Sequence, residues 1–213
     1  MKKVLIFLAS CMVFSTAIYA QDLNDLEYVS PFHEGLAAVK KGGQWGFINT
    51  EGTMVINYRN DVVVAEDNLT QCCSNDSSKD YPFFKDARCL IKKTKDGIDH
   101  YGFINKNGAV VIEPTFLNAT HFHGKQAIVL EIYKEVLGKN ALLDKNVVSY
   151  NYSEIVIDDM GKFKAYLIGP VNLLYDKEEL KSTPIIESRF LSPDLFAVKT
   201  EKGNWEIRNI NLK

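Results

Sequence analysis

The stretch FHEGLAAVKKGGQWGFINTEGTMVI, residues 32–56, returns in altered form as FKDARCLIKKTKDGIDHYGFINKNGAVVIEP, residues 84–114. Both stretches run in one order: an aromatic residue, a small residue, a lysine pair, an aromatic-Gly-Phe-Ile-Asn block, a glycine and Val-Ile. Self-similarity of this kind indicates a repeat protein, whose small units stack on one another. Stacked repeats build extended surfaces more readily than a solitary catalytic pocket, so the pattern predicts a surface and names no reaction.

Each copy is typical of β-structure. In the first copy, Leu36–Lys40, Trp45–Asn49 and Thr53–Asn57 are short runs rich in aromatic and β-branched residues. The Gly42-Gly43 and Thr50–Gly52 segments between them have the composition and length of hairpin turns. One unit is therefore predicted to be a three-stranded antiparallel meander followed by a connector.

Weaker copies follow along the chain. The small residues that anchor the units recur at intervals of 32 to 50 residues, at Ala37, Ala87, Ala127, Ala165 and Ala197. We expect two well-matched repeats in 28–116 with a polar insert at 66–79, and about three eroded repeats ending in a C-terminal cap in 117–213. The predicted fold is all-β, with tandem three-stranded antiparallel meanders stacked into an open elongated or curved array. A small β-propeller is the alternative.

The best-preserved motifs are Glu34-Gly35-Leu36-Ala37, Trp45-Gly46-Phe47-Ile48 and Tyr101-Gly102-Phe103-Ile104. With the later glycine and Val-Ile pairs, they resemble the WG-repeat family of exported bacterial β-repeat proteins, also described by its KWG motif. The resemblance covers roughly Tyr28–Phe116, and it implies an exported repeat protein with binding as its role. It brings no catalytic residues to this chain.

The first twenty residues have the order of a secretory signal peptide: Lys2-Lys3, an apolar run from Val4 to Ala17, and a small residue before a polar segment. Cleavage is expected between Ala20 and Gln21. The alternative is a lipoprotein anchored at Cys11, although the apolar run continues past that cysteine. Either hypothesis predicts export, to the periplasm, the cell surface or the medium.

Composition excludes several classes of function. Apolar residues make up 46% and charged residues 24%, as in folded soluble proteins. The net charge is −2, and loss of Lys2 and Lys3 with the signal peptide gives −2 − 2 = −4. Nothing in this charge balance is basic enough to suggest a nucleic acid as partner. After the signal peptide, no apolar run is long enough for a transmembrane helix.

The cysteines are consistent with export. A disulfide is permitted outside the cytoplasm, and Cys72 or Cys73 could pair with Cys89, since adjacent cysteines bridge each other only with strain. All three remaining reduced is the alternative. No spaced Cys and His set predicts a zinc site.

Aromatic residues recur at one position of the repeat, at Trp45, Tyr101 and Trp205. They could form a ladder that binds sugars or peptide side chains. Packing against the neighbouring unit is the favoured interpretation, because a lone meander cannot cover its own face.

Two further groups could carry chemistry. His121 and His123 would lie on one side of an extended strand, which is half of a metal site at most. Glu154 with Asp158 and Asp159 could supply a carboxylate pair, but neighbours on a strand point to opposite faces, which favours a solvated turn before the next glycine. No cofactor motif is present.

These observations predict a non-catalytic exported module that binds or scaffolds another protein or an envelope glycan. The alternative is a hydrolase of a cell-envelope polymer that uses carboxylates assembled by the fold.

Overall fold

A computed structural model describes residues 23–64, 80–140, 142, 144–173 and 184–211. Fourteen strands are found in this part of the chain and no helix. The strands are β1 (Tyr28–Val29), β2 (Leu36–Lys41), β3 (Gln44–Asn49), β4 (Met54–Arg59), β5 (Arg88–Lys95), β6 (Ile98–Asn105), β7 (Val110–Phe116), β8 (Asn118–Ala119), β9 (Gln126–Asn140), β10 (Lys145–Asp158), β11 (Phe163–Leu173), β12 (Arg189–Ser192), β13 (Leu195–Lys199) and β14 (Trp205–Asn209).

The strands form four antiparallel sheets in chain order: the first sheet β1–β4, the second β5–β7, the third β8–β11 and the fourth β12–β14. Every pairing joins neighbours in sequence, so each sheet is a meander. The predicted fold class, an all-β array of stacked antiparallel meanders, is confirmed.

The number of units differs from the expectation of about five. The predicted third and fourth units, anchored on Ala127 and Ala165, lie on β9 and β11 of a single sheet, because β10 pairs with both strands. The long β9 and β10, of 15 and 14 residues, hide this relationship in the sequence. Their far ends form a two-stranded extension that carries the exposed side chains of Val136, Leu137 and Leu142.

Turn chemistry explains where the strands end. The hairpin between β2 and β3 turns at Gly42 and Gly43, which both have positive φ, as a tight hairpin turn of matching twist requires. After β3, the side chain of Asn49 accepts hydrogen bonds from the N–H groups of Glu51 and Thr53. The same Asx turn recurs at Asn105, Asp158 and Asn209.

Strand register makes the units comparable position by position. Each of these four turn residues ends a strand and pairs with the first residue of the strand before it in the chain. The residue four places before each turn residue therefore occupies an equivalent position in all four sheets. At that site the pairs are Trp45 with Lys40, Tyr101 with Lys92, Glu154 with Leu130, and Trp205 with Lys199. Glu154 thus stands where the other sheets carry an aromatic residue.

The sheets pack face to face through apolar side chains. The front face of each sheet is the one that carries the aromatic position. In the first sheet it comprises Leu36, Ala38, Trp45, Phe47 and Ile56, and it packs on Cys89, Ile91 and Ile104 of the second sheet's back face. The front face of the second sheet packs in the same way on the third, and that of the third on the fourth. A single meander cannot bury a face, and stacking buries it.

The aromatic residue that opens each motif belongs to the preceding interface. Phe84 packs edge to face on Phe47 with ring centroids 5.0 Å apart, and Phe122 packs likewise on Phe103 at 4.7 Å. Phe32 opens the first unit and is exposed. The leading aromatic is therefore a joint between units, worth about 1 kcal/mol beyond the area that it buries.

No helix within the described residues has the length and apolar character needed to cross a membrane.

Candidate binding surface

A row of tight turns runs along one edge of the stack and ties successive sheets together. The turn before β2 has positive φ at Glu34 and Gly35, and its counterpart before β5 has positive φ at Asp86 and Ala87. The carboxylate of Glu34 accepts the N–H of Asp86 at 2.7 Å and that of Ala87 at 2.9 Å. The glutamate of the motif is therefore a link to the next unit. Ala87, which the sequence aligns with Ala37, takes the place of Gly35.

The row continues through the later turns. The carboxylate of Asp86 accepts the backbone N–H of Lys125 at 3.1 Å, and the side-chain amide of Gln126 donates to Asp194 at 2.6 Å. Four turns, one for each sheet, are thus joined through side chains of both turn and strand. The sequence holds no sign of this row, because its partners are 39 to 68 residues apart.

The hydrogen bonds and the ion pair of Glu34 together outweigh the effect of burial on its pKa. Partial burial alone would raise the pKa of this carboxyl, but the N–H groups of Ala87 and Asp86 and the ammonium of Lys106 lower it below its ordinary value. The ammonium lies 3.2 Å from the carboxylate. Glu34 therefore stays ionised to a lower pH than an ordinary glutamate does.

The predicted aromatic positions differ in exposure. Trp45 and Tyr101 are buried at 7% and 3% exposure, as packing against the next unit requires. Trp205 is 45% exposed, and the guanidinium of Arg189 lies 4.4 Å from its ring centroid. The aromatic residues therefore do not form a continuous ladder on the surface, and only the last is open to a ligand.

The glycine after the aromatic residue has a steric reason. A Cβ on Gly102 would lie 2.4 Å from the carbonyl oxygen of Ile112, and one on Gly46 would lie 3.0 Å from that of Ile56. The outer strands β4 and β7 shift register at this level, which brings their backbone over the glycine. The third sheet has Ile155 at this position.

A cleft of about 1000 Å³ lies between the third and fourth sheets. Its walls carry apolar and aromatic groups of β10 and β11, and charged groups of β13, β14 and the loop that joins them. The lining includes Tyr152, Glu154, Tyr166, Ile168, Lys199, Lys202, Glu206 and Arg208. Sequence reasoning missed this cleft, because it is assembled from strands of two units.

Glu154 is the chemically unusual group of the cleft wall. It is 2% exposed and accepts the backbone N–H of Glu187 at 2.7 Å and that of Ser188 at 3.1 Å. Burial raises the pKa of Glu154 and outweighs the hydrogen bonds that lower it, and the carboxylate of Glu187 adds to the rise. Burial also raises the pKa of Tyr152. The carboxylate of Glu154 fastens the third unit to the chain that enters the fourth.

The structure separates the predicted carboxylates. Asp158 accepts the N–H groups of Met160 and Lys162 in its turn, 2.9 Å each. The backbone carbonyl of Asp159 accepts the guanidinium of Arg88, which links the turn to the second sheet. The carboxylate of Glu154 accepts its hydrogen bonds from a different segment, at Glu187 and Ser188. Glu154 and Asp158 therefore have separate backbone partners.

The two predicted histidines face different aromatic residues. His121 stacks on Phe83 with ring centroids 4.3 Å apart, whereas the ring of His123 is tilted against Phe190 at 5.3 Å. Among the described residues, no group of three His, Cys, Asp or Glu side chains is placed to hold a metal ion.

Cys89 is a fully buried free thiol in the interface between the first and second sheets. Burial raises its pKa to about 12. The described residues do not include Cys72 and Cys73, the predicted signal peptide with Cys11, or the predicted cleavage site between Ala20 and Gln21. Because Cys89 is a free thiol, the predicted disulfide from Cys72 or Cys73 to Cys89 is not formed in this structure. The cleavage site stays a prediction.

Sheet order, register and the row of turns together define a β-repeat protein whose meanders stack face to face. Three segments, residues 26–45, 45–59 and 101–131, match the family model described as WG containing repeat. These three matches confirm the resemblance to the WG-repeat family found in the sequence. The third segment reaches into β9, which includes the start of the first eroded unit. No curated protein and no solved structure matches the chain.

Proposed function

We propose that this protein is an exported, non-catalytic module that binds or scaffolds another protein or a glycan of the cell envelope. One observation carries the proposal. Three front faces are closed by the next sheet, whereas the front face of the fourth sheet carries Trp205 at 45% exposure and Ile207 at 60%. An apolar face left open at the end of a repeat stack is the usual form of a binding surface in such proteins.

Export is supported by the order of residues 1–20, which has the three parts of a signal peptide. The net charge of −2 does not favour a nucleic acid as partner.

The rival function is hydrolysis of an envelope polymer, and the observation that favours it is Glu154. A carboxyl group with a raised pKa beside a cleft has the property of a general acid. However, its oxygens accept two backbone hydrogen bonds and it is 2% exposed, so its geometry is that of a structural acceptor.

The test uses immobilised residues 21–213 as bait for a cell-envelope extract. A specific partner should be recovered, and protease treatment of the extract should abolish recovery of a protein but not of a glycan. The matched bait carries Glu154→Gln, Asp158→Asn and Asp159→Asn, which keep shape and remove charge. Equal capture by both baits supports binding. A hydrolytic activity of the native chain that this triple variant loses, without any capture, would establish the enzyme instead.

A further inference from the structure

Within the residues that the structure describes, the fourth sheet has no outer strand of the kind that the other three sheets have. In the first three sheets, the strand with the aromatic position pairs on its outer side with β4, β7 or β11. In the described part of the chain, β14 pairs with β13 alone. The N–H of Ile210 donates to Asp194, and that of Thr200 to Asn204. By the alternation of an antiparallel ladder, the N–H and C=O groups of Trp205 and Ile207 therefore point to the open edge.

The side chains at this edge are the ones that the missing strand would cover. In the second sheet, Ile112 of β7 lies opposite Phe103, which is 1% exposed. Ile207 holds the register position of Phe103 and is 60% exposed. An added strand with an aliphatic residue opposite Ile207 would repeat a contact that the protein already makes.

A charged residue at one register position distinguishes this face from the closed faces of the first and third sheets. Ser30 and Thr120 precede β2 and β9, and their hydroxyls accept the N–H of Ala38 and Ile128. Arg189 holds the corresponding place beside β13. It is exposed and, among the described side chains, it has no carboxylate partner. Arg189 lies over the ring of Trp205, close to the edge, and would attract an acidic residue there.

A second copy of the chain fits this face poorly. Stacking head to tail requires an accessible back face on the first sheet, but Ala37 and Val39 of that face are both 0% exposed. Pairing two fourth sheets about a two-fold axis would bring the two copies of Arg189 onto the same interface, where like charges repel.

We propose that β14 is a docking edge for an extended, acidic segment of a partner protein. The segment adds as the missing strand, places an aliphatic side chain on Ile207 and brings a carboxylate to Arg189. Backbone pairing supplies the affinity, and the two side-chain contacts supply the selectivity. This inference rests on the proposed binding function and narrows its partner from protein or glycan to protein.

Trp205 gives a direct measurement, because the chain has only two tryptophans. In a Trp45→Phe variant, which keeps an aromatic ring at the buried position, Trp205 is the sole tryptophan, and its emission is excited selectively beyond the absorption of the tyrosines. The probe is the synthetic peptide AVVIEPTF, the sequence of residues 109–116, which pairs with the equivalent strand of the second sheet and contains a glutamate. Binding should shift Trp205 emission to shorter wavelength and protect it from acrylamide, saturably.

Two variants and one control locate the effect. Arg189→Glu should weaken binding about tenfold, the loss expected for one charge-assisted contact, and Ile207→Asp should weaken it further. Leu137→Ser, at a position 57% exposed on β9, should bind as the parent does. Unchanged thermal midpoints of the variants, measured alongside, ensure that lost binding is not lost folding.

Several results would overturn the proposal. One is the absence of any saturable shift, and another is equal binding by Arg189→Glu. Two peptides, one N-methylated at the odd positions and one at the even positions, each lack the N–H donors of one strand edge. If both bound as tightly as the unmodified peptide, strand pairing would be excluded. A shift with protein concentration alone would identify a second copy as the occupant. If the envelope pull-down succeeds equally with an Ile207→Asp bait, the binding function stands and this docking edge does not.

Discussion

The second and third sheets solve one structural problem with different chemistry. At the same register position, the second sheet buries Tyr101 against its neighbour, whereas the third buries Glu154 and gives its carboxylate two backbone N–H donors from the chain that enters the fourth sheet. The next residue is Gly102 in one sheet and Ile155 in the other. The comparison teaches that the stack requires a particular register, and that an aromatic ring and a satisfied carboxylate can fill the same place.

The largest expected effect comes from Gly102→Ala. The added methyl would lie 2.4 Å from the Ile112 carbonyl oxygen and 2.6 Å from the Pro114 nitrogen, both backbone atoms that cannot move alone. We expect a loss of about 3 kcal/mol in the free energy of unfolding, at the upper end for overpacking, measured by urea denaturation.

Two glycines serve as controls for that substitution. Gly46→Ala should cost less, because its nearest contacts are at 3.0 Å and one is the flexible Met54 side chain. Gly138→Ala has no atom within 4 Å and should be close to neutral. Equal losses at all three positions would contradict the close approach of β7 as the reason for the motif glycine.

Glu154→Ala should come next, at about 2 kcal/mol. The substitution leaves the N–H groups of Glu187 and Ser188 without their acceptor in a buried setting, which is costlier than the loss of an exposed bond. Chemical denaturation of the variant beside the parent measures it. Glu154→Gln keeps one acceptor oxygen and should recover part of the loss. If Glu154→Ala left the free energy of unfolding unchanged, this carboxylate would not hold the third and fourth units together.

Glu34→Ala should cost about 1 kcal/mol, less than Glu154→Ala. Its two hydrogen bonds to Asp86 and Ala87 are at the surface, where water can replace the lost acceptor. Hydrogen exchange of these two amides should accelerate while amides of β6 stay protected. Unchanged exchange at both amides would remove Glu34 from the row of turns.

The smallest effect is a pair of opposite pH dependences. The raised pKa of Glu154 means that the folded state binds its proton more tightly, so the parent should lose stability relative to Glu154→Gln as pH rises above the ordinary carboxyl value. The lowered pKa of Glu34 has the reverse sign, so the parent should lose stability relative to Glu34→Gln as pH falls below that value. Both are measured as unfolding free energies across the acid range. If both differences in unfolding free energy changed with pH in the same direction, the environments of Glu154 and Glu34 would not differ as described.

Much of the fold follows from short-range patterns. Residue type predicts both the hairpin at Gly42-Gly43 and the loop after Asn49. The hairpin needs positive φ and the loop needs a side-chain acceptor, and few residues supply either. The sequence of the third unit also contains a turn motif that indicates its register. Asp158 and Gly161 have the spacing of Asn49 and Gly52, which would have placed Glu154 at the aromatic position.

The candidate surface was harder to predict for physical reasons. The bonds from Glu34 to the second turn, and from Glu154 to the fourth unit, join residues 33 to 53 positions apart and depend on how sheets stack. The exposure of Trp205 depends on a pairing that β14 does not make within the described chain. Periodicity reports which residues are alike, and it carries no information on which of them end the stack.

The row of turns has a polarity with a practical consequence. Its first link accepts from the next unit through Glu34, so deleting the first sheet exposes two amides and uncovers Cys89, Ile91 and Ile104. Deleting the fourth sheet uncovers Ile128, Leu130 and Val156 together with the carboxylate of Glu154. Designed fragments that begin at the second sheet should aggregate through an exposed apolar surface, and any shortened form intended to remain dispersed should retain residues 23–64.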